Sequence, residues 1–472
     1  MAAPTSLVST RLRSLLTSLA HGLLEREGPV RLALLAALAG EHVLLIGPPG
    51  TAKSALARRL HSAFANTRYF ERLLTRFSTP EELFGPLSLK ALEDDRYERL
   101  TDGFLPTAGI AFLDEVFKAN SAILNALLTL LNEREFDNGT QRVVTPLISV
   151  VAASNEVPAD EALHAFYDRF LLRVPVAPVG DDNFTALLAL DEAASRIEAP
   201  LLPSERAAIA DAAARVALSD SFIAACTGLR RWLASHGHPA MSDRRWRQFV
   251  ALARTAAASE ARDAVDQYDL WLAPYVASAN PESVPALQAW FKDELLATPP
   301  HEAPWLERAL QAFEKQLMIE ETAPAEDEGD DGAGKLALAR AIGLGERDDD
   351  AQPNAQRIVS ARLEDKLRRR WSPVHIRCRV LQVSEIEAQV AASRAETHAG
   401  AQALSSALAT RLWMPPALRA QLTNAHAKAL SMLDGMLARL AATRAGFAAL
   451  PCDEHASAAP APIAIAIAEA VE

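Results

Sequence analysis

The strongest constraint on this chain is the eight-residue stretch 47–54, which reads Gly-Pro-Pro-Gly-Thr-Ala-Lys-Ser. It matches the pattern GxxxxGK(S/T), except that Ala52 replaces the second glycine. An apolar run at 42–46 precedes it, and helically spaced Leu56, Leu60 and Phe64 follow it, so it joins a predicted buried strand to a predicted helix. A phosphate-binding loop requires this context, because glycines let backbone N–H groups close round phosphates and the helix N-terminus adds positive potential. A chance proline–glycine turn is the alternative that this context disfavours.

We therefore predict that ATP and Mg²⁺ bind at this loop. Lys53 would bridge the β- and γ-phosphates, and the Ser54 hydroxyl would ligate Mg²⁺. A second apolar run at 110–113 ends in Asp114 and Glu115, about 60 residues after the loop. Asp114 would hold Mg²⁺ through water and Glu115 would polarise the attacking water, although many strands end in Asp-Glu without such a role. The predicted nucleotide contacts are Gly47, Pro48, Pro49, Gly50, Thr51, Ala52, Lys53, Ser54 and Asp114.

Two further polar residues complete the predicted catalytic set. Asn155 follows a third apolar run at 147–152. If that strand neighbours the second, Asn155 lies beside Asp114 and could orient the water; the alternative is a turn asparagine. Arg169 lies in the sequence Tyr-Asp-Arg-Phe at 167–170. It could stabilise transition-state charge on a neighbouring subunit's nucleotide, or merely pair with Asp168.

Composition limits the class of protein. The chain has 472 residues, a net charge of 48 − 60 = −12, 50% hydrophobic and 23% charged residues. This balance excludes collagen, a coiled-coil rod and wholesale disorder, and it disfavours a nucleic-acid binder driven by net charge. The three cysteines are too far apart to signal a zinc site or disulfide framework, and His236-Gly-His238 is a weak metal candidate. No apolar run approaches the ~18 residues of a membrane span, so we expect a cytoplasmic protein.

Strands alternating with helices predict an α/β fold with a parallel sheet, and helical patterns dominate after it. We expect a nucleotide-binding domain at 1–180, an all-helical lid at 181–280, and a helical bundle formed by 281–320 and 381–450. Residues 321–380 would form an acidic linker or small inserted module, and 451–472 a disordered tail. Ser121 is the predicted cap of the helix after the second strand. The stripe of Leu430, Leu433, Leu437 and Leu440 is predicted to face the core rather than a partner.

The order of GPPGTAKS, FLDE, AASNE and YDRF resembles the MoxR group of AAA+ ATPases. The stretch TRFSTPEELFGPLS at 75–88, followed by RYERLTDGFLP and LLNEREFDNG, is similar to the RavA (regulatory ATPase variant A) branch. The resemblance spans about residues 10–175. Residues 241–246 are similar to that branch's second-sensor segment, which implies that Arg244 senses the γ-phosphate. The adjacent Arg245 is the open alternative.

The resemblance implies an AAA+ α/β domain followed by an all-helical lid and a C-terminal helical arm. It also implies a homo-hexamer with ATP between neighbours and Arg169 reaching across. MoxR proteins act as chaperone-like remodellers of protein clients or as metal-insertion helpers, usually with a von Willebrand factor A domain partner. In the RavA branch a domain inserted in the arm binds lysine decarboxylase. Region 321–380 is acidic and short here and does not match that domain, so the resemblance gives little support to this partner.

Two alternative functions belong to other classes. A nucleic-acid motor would use the basic run 366–370 beside Trp371, but a solvated helix face is the favoured explanation, because Glu364 and Asp365 precede the run. A scaffold with a structural ATP site would bind nucleotide with little turnover. The intact Asp114–Glu115 pair argues against the scaffold.

Overall fold

The computed structural model describes residues 4–158, 160, 163–190, 197, 199–296, 304–323, 368–455 and 461–463. The chain divides into two compact units, Met1–Thr298 with Ala407–Ala420, and Pro299–Ser406 with Gln421–Glu472. The acidic runs at 326–332 and 348–350 lie outside the described residues, as does most of the predicted tail. The predicted domain boundaries therefore stay predictions.

The first unit alternates helices and strands and then becomes helical. Its helices are α1 Pro4–Ala20, α2 Glu27–Leu38, α3 Lys53–Ser62, α4 Pro80–Phe84, α5 Leu89–Glu93, α6 Ser121–Glu133, α7 His164–Tyr167, α8 Asp181–Leu188, α9 Pro203–Arg215, α10 Asp220–Ser235, α11 Asp243–Ser259, α12 Ala273–Ala277 and α13 Val284–Leu296. Its strands are β1 Val43–Ile46, β2 Tyr69–Leu73, β3 Ile110–Asp114, β4 Glu135–Asn138, β5 Gln141–Val144, β6 Ser149–Ser154, β7 Leu172–Pro175, β8 Ala217–Leu218 and β9 Ala264–Val265.

A five-stranded parallel sheet with the order β2-β3-β6-β1-β7 forms the centre of this unit. The three predicted apolar strands β1, β3 and β6 are adjacent and almost wholly buried, as expected for strands covered by helices on both faces. Their register pairs Leu113 with Ala152 and Ile46 with Ser154. The loops that follow β1, β3 and β6 therefore leave the sheet at one shared edge.

Two features between the strands differ from the sequence-based expectation or were absent from it. Ser121 does not cap α6: Asn120 does, because its side-chain oxygen accepts a hydrogen bond from the N–H of Ile123. Strands β4 and β5 form an antiparallel hairpin that packs on the segment containing α4 and α5. Phe136 of the hairpin stacks on Phe84 at 5.3 Å between ring centroids.

The region after β7 is helical, apart from the two-residue parallel pair of β8 and β9. Helix α11 packs against α9, and its Phe249, Leu252, Ala253 and Ala256 are buried. His236 and His238 stack on the Trp232 ring at 4.4 and 5.1 Å, so both belong to an aromatic cluster. Among the described helices, none is both long and apolar enough to cross a bilayer.

The second unit contains α14 Pro304–Thr322 and most of two long helices, α15 Pro373–Ala409 and α16 Pro416–Ala448. The long helices run antiparallel, since Glu387 pairs with Arg444 at 3.0 Å and Arg394 pairs with Asp434. The core combines Leu310 and Phe313 of α14 with apolar side chains of both long helices. These include Val383, Val390, Leu433, Leu440 and Phe447. Of the predicted leucine stripe, Leu433 and Leu440 belong to this core and Leu437 packs against it, whereas Leu430 is half-buried outside it. Of the basic run, residues 368–371 are described, and Arg369 lies over the Trp371 ring at 4.5 Å.

Candidate functional site

The phosphate loop leaves β1 at its carboxyl end and turns sharply into α3. Gly47 donates its N–H to the carbonyl oxygen of Ser154 at 3.1 Å. A Cβ at Gly47 would lie 2.0 Å from the carbonyl oxygen of Val176, so only glycine fits there. Gly50 and Ala52 have φ angles of +79° and +62°. Ala52, in the position of the second pattern glycine, thus adopts the left-handed backbone that the pattern normally assigns to glycine.

The loop presents unpaired donors. Among the described residues, no acceptor is bonded to the backbone N–H groups of residues 50–54. Lys53 is 7% exposed, and its Nζ donates to the carbonyl oxygens of Gly47 at 2.7 Å and Pro48 at 2.8 Å. Burial lowers the pKa of Lys53, while Asp114 and Glu115 act in the opposite direction. Free backbone N–H donors next to a lysine can bind the negatively charged oxygens of a polyphosphate chain.

The two carboxylates lie at the carboxyl end of β3. Strand β3 pairs with β6, and β6 pairs with β1, which leads into the phosphate loop. The Asp114 side chain accepts a hydrogen bond from the N–H of Glu115 at 3.0 Å. Glu115 has φ +52°. Its Oε1 accepts from Nδ2 of Asn155, and its Oε2 lies 3.2 Å from Nζ of Lys118. The structure thus brings Lys53, Asp114, Glu115 and Asn155 to one edge of the sheet.

ATP and Mg²⁺ are compatible with the groups at this edge. The five free N–H groups and Lys53 fit phosphate oxygens, and the Ser54 hydroxyl makes no hydrogen bond to any described residue. A hydroxyl and the Asp114 carboxylate are hard oxygen donors of the kind that Mg²⁺ prefers. The donor set therefore matches the predicted nucleotide and metal ion.

Arg169 and Arg244 do not join this edge. Arg169 precedes β7, and Arg244 donates to Oδ1 of Asn132 at 2.9 Å, near the start of β1. Burial and the charge of Arg244 lower the pKa of Arg169, while the charge of Asp168 raises it. They lie at the amino ends of the strands, and β1 alone separates the two edges by about 13 Å. The two arginines therefore face away from their own phosphate loop.

Arg245 has a different environment from Arg244. Arg244 is exposed, whereas Arg245 is 4% exposed and burial lowers its pKa to about 9. The Arg245 guanidinium donates to the carbonyl oxygens of Val276, Phe170 and Leu171 at 2.6, 3.1 and 2.7 Å. It also binds Oδ1 of Asp168 at 3.0 Å. All its nitrogens are used, so Arg245 ties α11 to the turn before β7.

The alternative partner for Arg169 is also engaged elsewhere. The Asp168 carboxylate contacts Arg245 and Arg173, the latter at 3.3 Å. Among the described residues Arg169 forms no ion pair, and its Nε is buried without a hydrogen-bond partner.

Sequence reasoning missed Lys118 at the Glu115 carboxylate. Its position three residues after Glu115 was the available signal, because such a spacing places two side chains on one helical face.

Parts of this chain are similar to known proteins. Residues 10–209 match the family described as "MoxR domain in the MoxR-vWA-beta-propeller ternary systems", and residues 221–291 match an AAA lid domain. Two uncharacterized proteins of Methanocaldococcus jannaschii are 54% identical over 171 residues, which cover 36% of this chain and 45% and 46% of theirs. Protein MoxR of Paracoccus denitrificans is 31% identical over 166 residues, covering 34% of this chain and 48% of its own. The matched region spans about half the length of these relatives.

A solved structure of a protein from Cytophaga hutchinsonii has a TM-score of 0.50 at 16% identity and covers 60% of this chain and 91% of that one. This likeness concerns the fold. The parallel sheet, the phosphate loop at its edge and the helical lid define an AAA+ ATPase fold with a helical C-terminal region. Residues 10–209 are therefore similar to a MoxR domain, and residues 221–291 to the lid of AAA proteins.

Proposed function

We propose that this chain binds ATP with Mg²⁺ and hydrolyses it to ADP and phosphate. The observation that carries the proposal is the convergence of a donor-rich loop after β1 and a carboxylate pair after β3 at the same edge of the sheet, on either side of β6. The loop offers free N–H groups and Lys53, and β3 delivers Asp114 and Glu115 beside Asn155. Phosphoryl transfer to water needs a positioned water and neutralised phosphate charge, and this edge offers groups for both.

Each residue has a distinct role in the proposed reaction. Bound Mg²⁺ would supply neutralisation of phosphate charge, with Ser54 and Asp114 holding it. Lys53 leaves the carbonyl oxygens of Gly47 and Pro48 and donates to phosphate oxygens instead. Glu115 accepts a proton from the attacking water, and Asn155 fixes the carboxylate by donating to Oε1. Lys118 contacts Oε2, and because each carboxylate oxygen has two lone pairs, Glu115 can keep this contact while it accepts the proton.

The proposed assembly is a homo-hexamer in which Arg169 and Arg244 act on the neighbouring subunit's nucleotide. Both arginines lie at the edge opposite their own phosphate loop, so a second copy is the simplest source of an anionic partner. The guanidinium of Arg169 makes no ion pair within the described part of the chain, so it is available for a phosphate. Arg245 is fully used within the subunit, which favours Arg244 as the second sensor.

The proposed biological role is chaperone-like remodelling of protein clients with a partner that carries a von Willebrand factor A domain. The name of the matched family, which includes MoxR and vWA proteins, supports this partner. The stretch at 75–88 supports the RavA branch, but region 321–380 offers no support for lysine decarboxylase binding. Cys226, Cys378 and Cys452 are unpaired, which fits the proposed cytoplasmic location.

Two substitutions test the nucleotide chemistry. Lys53→Ala should abolish ATP binding, because it removes the buried cation of the loop. Glu115→Gln should retain binding but lower turnover by about 10²–10⁴-fold, the usual contribution of a general base. Fluorescent-nucleotide binding and phosphate release measure the two effects. Lys90→Ala, an exposed lysine in α5, is the control and should change neither. Normal turnover by the Glu115→Gln protein would contradict the assigned role.

A further inference from the structure

A buried arginine lies directly behind the phosphate loop. Arg26, in the turn between α1 and α2, is 5% exposed. Its Nε donates to the carbonyl oxygen of Thr51 at 3.1 Å, and its two terminal nitrogens donate to the carbonyl oxygens of Ala177 at 2.6 Å and Glu25 at 3.2 Å. The guanidinium therefore joins the loop to the chain segment that follows β7.

Within the described part of the chain Arg26 forms no direct ion pair, although the charge of Glu25 acts on it from a distance. The Glu25 side chain, although adjacent in sequence, accepts hydrogen bonds from the N–H of Gly180 at 3.1 Å and from Nδ2 of Asn183 at 2.9 Å. The positive charge of Arg26 reaches Lys53, whose pKa it helps to lower. Two cations thus lie beneath one loop, and an anion bound in the loop would offset both.

The bond to Thr51 also fixes the direction of one peptide group. In a trans peptide, the carbonyl of residue 51 and the N–H of residue 52 point in opposite directions. Because Arg26 draws the Thr51 carbonyl inward, the Ala52 N–H is turned outward, on the side where the other free donors lie. Ala52 holds φ +62°, a backbone conformation that residues with a Cβ disfavour, so this peptide orientation requires support.

We propose that Arg26 is a positioning residue for the nucleotide phosphates: it holds the Thr51–Ala52 peptide so that the loop donors face the bound anion. The inference rests on the proposed function, because it assumes that the loop binds a nucleotide. Arg26 acts through the loop backbone and through its charge, without touching the reacting atoms.

A double-mutant cycle between Arg26 and Ala52 tests this role. Arg26→Gln should weaken ADP and ATP binding by about tenfold or more, the effect of losing a charge-assisted hydrogen bond. Ala52→Gly removes the left-handed strain, so the same Arg26→Gln change should cost less affinity in the glycine background. Arg26→Lys keeps the charge and one donor and should show an intermediate loss. Affinities are measured by titration calorimetry on the full chain.

Arg59→Gln is the matched control. Arg59 also donates from a partly buried site to backbone carbonyl oxygens of the N-terminal region, those of Leu19 and His21, without contacting the loop. The Arg59→Gln protein should bind nucleotide with the same affinity as the wild type. Thermal unfolding without nucleotide checks each variant, and if Arg26→Gln does not fold, Arg26→Lys carries the cycle with Ala52→Gly.

The outcomes separate the two proposals. A wild-type chain that fails to bind ADP or ATP would refute the proposed function itself. Tight binding by the wild type together with unchanged affinity in Arg26→Gln would overturn the role of Arg26. Strictly additive losses in the cycle would overturn the coupling to Ala52.

Discussion

Removing Arg245 should lower the stability of the protein, whereas removing the adjacent Arg244 at the start of α11 should lower its ATP turnover. Arg245→Ala deletes a buried guanidinium that donates to four carbonyl oxygens and to the Asp168 carboxylate. Removing one partner of such a buried charged network costs about 3–5 kcal/mol. For a unit of this size, that loss lowers the melting temperature by roughly 6–20 °C. We therefore expect a strongly destabilised lid attachment.

Arg244→Ala is the paired change. Arg244 is exposed and makes one hydrogen bond, to Asn132 at 2.9 Å, so its loss should change the melting temperature by less than about 2 °C. Turnover should nevertheless fall at least about a hundredfold, since a positioned arginine stabilises charge on the transferring phosphoryl group. Thermal unfolding without nucleotide and phosphate release at high protein concentration give the two readouts.

The opposite result for the two variants would refute the roles assigned to Arg244 and Arg245. A stable Arg245→Ala protein with lost turnover would make Arg245 the sensor. Equal loss of stability in both variants would show that Arg244 has a structural role that its exposure does not reveal.

Two further predictions concern pH and assembly. Burial raises the pKa of Glu41 to about 7 from 4.5, so between these values the folded state holds more protons than the unfolded state and stability falls as pH rises. Between pH 4.5 and 7.5 the free energy of unfolding of the Glu41→Gln protein should therefore rise by about 3 kcal/mol relative to that of the wild type. Denaturant titrations at the two pH values measure this difference. If the unfolding free energies of both proteins change with pH in the same way, the prediction is wrong. Mixing Arg169→Ala with Glu115→Gln, each inactive alone, should restore part of the ATPase activity, because mixed rings contain sites with Glu115 from one subunit and Arg169 from the other. Absence of recovery in mixed oligomers would reject action across the interface.

The central strands and the loop could be predicted because burial on both faces makes β1, β3 and β6 continuous apolar runs. Strand β2 escaped prediction because it is an edge strand with the mixed sequence Tyr-Phe-Glu-Arg-Leu. Strand β7 contains the buried Arg173, which is held by the carbonyl oxygen of Ser278, the Asp168 carboxylate and the ring of Tyr167. Such compensation cannot be read from a local pattern.

Site residues divide in the same way. Lys53, Asp114, Glu115 and Asn155 could be placed together because parallel strands end at a common edge. The pairing of Arg169 with Arg244 depends on how α11 docks, which no sequence spacing encodes. The β4–β5 hairpin did carry a local signal, the Asn138–Gly139 dipeptide at its turn, and Gly139 has φ +68°.

The turn before β7 has a mechanical consequence. Arg169 is covalently next to Asp168, and Asp168 is bound to Arg245 at the first turn of α11. In the proposed ring, a phosphate bound to the neighbouring subunit that attracts Arg169 would therefore also displace the lid of Arg169's own subunit, because only Asp168 lies between them. Release of that phosphate would let the lid return, so the lid position of each subunit would depend on the nucleotide state of its neighbour.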